Sequence, residues 1–349
     1  MLKPIEDQII VITGATSGIG LATTRMAAQR GARLVLAARN ERALWTLAEE
    51  IRSRGGKVIY AVADVGVKDQ VDDIAKAAIT AFGGFDTWIN NAAVSIFGHL
   101  EEVPIDEMRR LFETNFWGVV YGSLAAVRHF RERGGGKLIN IGSILGERAI
   151  PIQGIYSASK HAVAGFTESL RIEMHAERLP VSISLIKPAA IDTPYKDHAK
   201  NYMDRAPINP PPVYDAEIVA RAILHACEHN VRDLMVGGAG RLIDLAAGLA
   251  PRTTDRIMAR VMPWLQRSSE PAKPRDQNTL YRPGEDLSEH ADYPVTLKRS
   301  VYTRAMMQPL ASAMVAGAGL GLSLAAFAAW QARRDGTQRR ARGDGRPRR

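Results

Sequence analysis

The chain has 349 residues, 46% of them hydrophobic, enough for one large α/β unit with an extension or for two ordinary domains. A single cysteine, Cys227, excludes an intrachain disulfide and a cysteine-based zinc site, and no metal is expected. The net charge of +9 is concentrated at one end: eight Arg and two Asp follow Trp330, which leaves +3 for the first 330 residues and argues against nucleic acid as a partner of the body.

The opening apolar run, QIIVITG, is short, lacks a cleavage site and enters a glycine loop, so no secretory signal is expected and the body is assigned to the cytoplasm. From residue 8 to about 236, seven β-rich runs (IIVIT, RLVLAA, KVIYAVA, FDTWIN, KLINIG, VSISLI and DLMVG) alternate with amphipathic segments. That alternation predicts a seven-stranded parallel sheet covered by helices on both faces, joined by right-handed crossovers.

Directly after the first strand stands Thr13-Gly14-Ala15-Thr16-Ser17-Gly18-Ile19-Gly20, opening a helix. Glycines there let the backbone turn tightly and approach a pyrophosphate at the helix N-terminus. The second strand ends LVLAARN, with Ala38 where a ribose-binding carboxylate would favour NAD and Arg39 next to it. A guanidinium pairs with a 2′-phosphate, so NADP(H) is expected over NAD(H). Asp64 and Val65, after the third strand, are placed to meet the adenine. Farther on, YSASK puts Tyr156 and Lys160 one helical turn apart on one face. An ammonium beside a phenol favours the phenolate, so Lys160 is expected to lower the Tyr156 pKa and fit it for proton transfer.

Lys200 to Pro212 is polar and proline-rich and predicts an irregular loop, followed by a helix starting near Asp215. Residues 237–265 look helical. Ser268 to Pro294 is rich in Pro, Asp, Glu and Arg without apolar periodicity and reads as linker. Pro309 to Trp330, 22 residues without a charge, is long enough to cross a bilayer, and an Arg-rich tail follows. The Arg excess after that helix would itself prefer the cytosol, which weighs against a simple tail anchor. The expected organisation is a nucleotide-binding catalytic domain over 1–240, a helical extension over 241–266, a linker over 267–305, a hydrophobic helix over 306–331 and a basic tail over 332–349.

The glycine loop, Asp64, Asn90-Asn91-Ala92-Ala93, Asn115, Ser143 and the Tyr156/Lys160 pair, in that order, resemble the short-chain dehydrogenase/reductase family over about residues 5–240. The TGxxxGxG and YxxxK spacing is similar to its compact branch. The resemblance implies a Rossmann-type doubly wound α/β fold and an oxidoreductase passing hydride between NADP(H) and a carbonyl or secondary alcohol. It implies Asn115, Ser143, Tyr156 and Lys160 as catalytic residues: Tyr156 as acid/base, Lys160 on the nicotinamide ribose, Ser143 on the substrate oxygen, and Asn115 on a water leading from Lys160. Cofactor contacts are implied at Gly14, Ser17, Gly18, Ile19, Gly20, Arg39, Asp64, Val65, Asn91, Tyr156, Lys160, Pro188, Ile191 and Thr193.

Two positions depart from the family pattern, Ala93 and Ala189, each with a methyl group where glycine is usual. Tyr195, Tyr202, Met203, Ile150 and Ile152 are candidates for an apolar substrate pocket, and the membrane-like helix suggests a lipophilic substrate. Helices 106–132 and 153–178 carry apolar stripes on more than one face, so a homo-oligomer is expected. The reading from a different class is a non-catalytic nucleotide-binding membrane scaffold or redox sensor. The tail's charge would also suit an anionic lipid surface or, less well, nucleic acid.

Overall fold

In the computed structural model, residues 2–308 are described, apart from 239, 242–247 and 292. The chain divides into a unit Met1–Thr303 and a second unit Arg304–Arg349. The expected span at 309–330 and the basic tail lie outside the described residues. Among the described residues no helix is long and apolar enough to cross a membrane.

The seven apolar runs are strands of one sheet: β1 Ile9–Thr13, β2 Arg33–Ala38, β3 Lys57–Val62, β4 Thr87–Asn90, β5 Gly136–Ile141, β6 Val181–Pro188 and β7 Asp233–Val236. Their order is β7-β6-β5-β4-β1-β2-β3, all parallel, with Ile10 of β1 between Leu34 and Thr87 in register. Strand β1 is buried at every position, because helices cover both faces and exposed polar positions would serve nothing there. On one face Phe85, Trp88, Ala126, Phe130 and Leu138 form the centre of the core. The direction of winding reverses between β1 and β4, which opens a crevice at the carboxyl ends of the strands.

Helix ends follow local chemistry. The Asn40 side chain caps Glu41–Ser53 by accepting from Ala43 N at 3.0 Å, and Asp215 caps Ala216–Glu228 by accepting from Glu217 N at 2.8 Å. The helix expected over 106–132 is broken: Ile105–Phe112 and Gly118–Arg133 flank a π-helical turn, Glu113–Trp117. Wide turns of this kind commonly mark functional positions, and this one carries Asn115.

Lys137, on β5, is fully buried and donates to the Ser184 hydroxyl at 2.7 Å and the Ser182 hydroxyl at 2.9 Å. Burial pulls its ammonium down from 10.5 to about 8. Between those values the unfolded chain binds more protons than the folded one, so this lysine costs stability below pH 8 and the cost fades as pH rises toward 10.5. Replacing Lys137→Met is expected to raise stability at pH 7 by on the order of 1 to 3 kcal/mol, with a smaller gain at pH 9.5. Urea midpoints of both proteins at the two pH values check this; an equal or negative shift at pH 7 counts against it.

The segment read as a linker, 267–305, is corrected as far as Thr303. Arg267–Pro271 pairs antiparallel with Arg205–Pro207, inside the loop expected to be irregular. Leu280 is 1% exposed among Val94, Ile96, Leu111 and Tyr156. Beyond it, Leu287 N donates to Thr16 O at 2.8 Å, Gly18 N donates to Ser288 O at 2.9 Å, and Arg25 pairs with Glu289 at 2.7 Å. At its far end Asp192 accepts from Ala291 N at 2.8 Å and from the Thr296 hydroxyl at 3.0 Å. Residues 279–291 and 293–297 therefore form a strap. Its charged, aperiodic composition resembles that of a linker because hydrogen bonds to backbone carbonyls, rather than an apolar stripe, hold it.

Candidate active site

The crevice encloses a cavity of about 320 Å³ that runs from Arg39, Asn40 and Asp64 past the glycine loop to Ser143, Tyr156 and Lys160. Gly14 and Gly18 have φ of +65° and +51°, and a Cβ at Gly20 would lie 2.0 Å from Gly14 O, so the tight turn into the helix Gly18–Gln29 depends on glycine. The Asn91 side chain holds the loop by donating to Thr13 O at 3.0 Å and Gly14 O at 3.1 Å. This cradle at a helix N-terminus fits the pyrophosphate of a dinucleotide. Gly14, Ser17, Gly18, Ile19, Arg39, Asp64, Val65, Asn91, Pro188, Ile191 and Thr193 all line the cavity, as do Ala93 and Ala189. Gly20 does not line it; its role is to let the loop close.

Arg39 does not reach freely into the cavity. Its guanidinium donates to Thr279 O at 2.7 Å and Leu280 O at 3.4 Å on the strap, and burial lowers its pKa. Asp64 is likewise engaged: it accepts from Gly66 N at 2.9 Å and pairs with Arg110, whose Nε donates to Leu280 O at 3.1 Å. The Asn40 side chain donates to Gly284 O at 3.1 Å.

At the other end, Tyr156 and Lys160 project from the helix Gly154–Ala176, with the Lys160 ammonium 5.6 Å from the centre of the Tyr156 ring. Lys160 Nζ donates to Ile141 O at 2.9 Å. Burial lowers its pKa to about 8, and burial pushes the Tyr156 phenol up to about 12, opposed by the hydroxyls of Ser143 and Tyr195. The expectation that Lys160 lowers the Tyr156 pKa is thus not met: both groups are wrapped in protein, and desolvation dominates each. Ser143 sits at the end of β5 and accepts from Leu145 N at 3.1 Å. Asn115 is fully buried; its side chain accepts from Val94 N at 2.8 Å and donates to Val94 O at 2.9 Å and the Ser159 hydroxyl at 3.2 Å. It fixes the loop after β4 and makes no direct bond to Lys160.

Of the five pocket candidates, Ile150 and Tyr195 line the cavity. Tyr202 instead donates to Glu107 at 2.8 Å, while Ile152 and Met203 pack with Phe97. Tyr195 lies edge-on to Tyr156 with ring centres 5.5 Å apart, and its hydroxyl meets Ser95 Oγ at 2.6 Å and donates to Gln153 Oε1 at 2.9 Å. Gln153 in turn donates to the fully buried Gln266 at 2.8 Å. Ser95, Gln153, Gln266 and the strap residues escaped the sequence reading, since lone polar residues carry no spacing signal. Among the described residues no cluster of His, Cys, Asp and Glu could hold a metal ion.

The sequence pattern of the short chain dehydrogenase family matches residues 8–203. The chain belongs to that family. This short-chain dehydrogenase is an oxidoreductase acting on CH–OH or C=O groups with a nicotinamide cofactor. It is 47% identical over 317 residues to the uncharacterized oxidoreductase YxnA of Bacillus subtilis, covering 90% of this chain and 89% of that one. Over 278 residues it is 28% identical to the putative oxidoreductase SadH of Mycobacterium tuberculosis, covering 75% and 99%. A short-chain dehydrogenase/reductase of Burkholderia phymatum in complex with NAD superposes with a TM-score of 0.63 at 27% identity, covering 78% of this chain and 100% of that one. An alcohol dehydrogenase of Thermococcus sibiricus complexed with 5-hydroxy-NADP gives 0.58 at 27%, covering 66% and 95%.

Proposed function

We propose that this dehydrogenase uses NADP(H) in preference to NAD(H) and acts on a lipophilic carbonyl or secondary alcohol, with Tyr156 as the acid/base. The observation that carries the reading is the convergence of Ser143, Tyr156 and Lys160 at one end of a cavity whose other end holds Arg39. The nicotinamide cofactor, when bound, gives or takes the hydride. The chain's own residues do the rest. Ser143 holds the substrate oxygen, Tyr156 gives it a proton during reduction or takes one during oxidation, and Lys160 holds the cofactor's ribose and supplies positive charge beside the phenol. A Tyr156 pKa near 12 keeps the proton in place at neutral pH, which suits reduction. Asn115 positions the loop Val94–Ser95 that walls the substrate end.

Support for a lipophilic substrate comes from the lining there: Val94, Ile144, Leu145, Ile150, Met262 and Tyr195. Support for NADP(H) comes from Arg39, with Ala38 leaving the usual carboxylate position empty. A mass-spectrometric comparison of a lipid extract incubated with NADPH and either the intact protein or Tyr156→Phe tests the substrate class: a compound gaining two hydrogens with the intact protein alone is the expected result. Replacing Arg39→Ala is expected to raise KM for NADPH about 10- to 100-fold and KM for NADH by less than about threefold. Equal effects on both cofactors would remove Arg39 as the 2′-phosphate contact.

A further inference from the structure

The strap places a second charged residue at the adenosine end of the cavity. Asp286 lines the same cavity as Ala38, Arg39, Asn40 and Thr16, and the Thr16 hydroxyl donates to its Oδ2 at 3.0 Å. The carboxylate forms no ion pair with Arg39, whose guanidinium is held instead by Thr279 O and Leu280 O of the same strap. The field of Asp286 nevertheless reaches Arg39. The backbone on either side of Asp286 is fixed: Asn40 holds Gly284 O, Leu287 N bonds Thr16 O, and Gly18 N bonds Ser288 O. A carboxylate from the strap and a guanidinium from the end of β2 thus both line the adenosine end.

We propose that Asp286 is a cofactor-specificity residue that opposes Arg39, by accepting a hydrogen bond from a free adenosine 2′-hydroxyl and repelling a 2′-phosphate. The strap so returns, from a point about 250 residues downstream, the kind of acidic group that Ala38 removed from the end of β2. With Arg39 and Asp286 both lining this end, discrimination between NADP(H) and NAD(H) is narrower than Arg39 alone would produce. The proposal rests on the reading of this end of the cleft as the adenosine subsite. It does not depend on the identity of the substrate.

The test is calorimetric titration of the full chain with adenosine 2′,5′-bisphosphate and with 5′-AMP, for the parent protein, Asp286→Asn and Arg39→Ala. Asparagine keeps the size of the side chain and can still accept from Thr16, so the strap stays anchored; thermal melting checks that it does. The expected result for Asp286→Asn is roughly tenfold tighter binding of the bisphosphate, from loss of one like charge at short range, with 5′-AMP unchanged or a few-fold weaker. A shift that is the same for both nucleotides, or no shift for either, overturns the proposal. The Arg39→Ala arm separates that failure from failure of the underlying reading. If Arg39→Ala weakens the bisphosphate selectively while Asp286→Asn does nothing, the subsite stands and the Asp286 role falls. If neither variant alters either nucleotide, adenosine does not bind at this end and both fall.

Discussion

Replacing Tyr156→Phe is expected to lower kcat by about 10³-fold while leaving cofactor affinity within about threefold. The substitution removes one hydroxyl and nothing else. The ring, 8% exposed and packed edge-on against Tyr195, keeps its contacts with Val94, Leu111 and Leu280. The neighbouring phenol, Tyr195, has its hydroxyl engaged by Ser95 and Gln153. Ser143 can orient an oxygen but is far too weak an acid to protonate one at neutral pH. Steady-state turnover of a small ketone with NADPH, paired with fluorescence titration of NADPH binding, gives both numbers. Activity within tenfold of the parent would assign the proton to another group. A matching loss of cofactor affinity would make the effect one of binding.

The sheet and one wall of the site were legible because each left a periodic or positional trace. Seven short apolar runs alternating with amphipathic segments read as strands of a covered parallel sheet, and the residues at their carboxyl ends, Gly14, Arg39, Asp64, Asn91, Ser143 and Pro188, gather at one edge. The opposite wall left no such trace. Thr279, Leu280, Gly284 and Asp286 follow no apolar period, and what ties them down is Arg39, Arg110, Asn40 and Thr16 reaching from more than 150 residues away. Leu280 is the one fully buried hydrophobic residue described there, and one leucine makes no pattern. The π-helical turn at Asn115 was hidden for a related reason: the five residues Glu113–Trp117 are too few to show a change of period. The direction of the Tyr156 shift was not legible because spacing reports proximity and not desolvation. Tyr156 and Lys160 are close, as the i,i+4 geometry demands, but both are buried, and burial pushes each toward its neutral form.

That burial makes Lys160 the source of a second large effect, one that depends on pH. Its ammonium donates to a backbone carbonyl, Ile141 O, and has a pKa of about 8 set by burial. Below pH 8 the group is charged and favours negative charge on the adjacent phenol oxygen as the proton leaves for substrate; above pH 8 it is neutral and that stabilisation disappears. The rate of reduction, as kcat/KM for NADPH, is therefore expected to fall as pH rises through about 8, while a phenol with a pKa near 12 contributes no limb below pH 10. Replacing Lys160→Met keeps the length and apolar stem of the side chain. It is expected to lower kcat/KM by about 10²-fold at pH 7 and to remove the descent near pH 8, so that parent and variant converge in alkaline solution. Profiles of both proteins from pH 6 to 10 at constant ionic strength decide the point. A variant that is slow but still descends near pH 8 would assign that ionisation to another group, and would leave Lys160 with the task of holding the ribose alone.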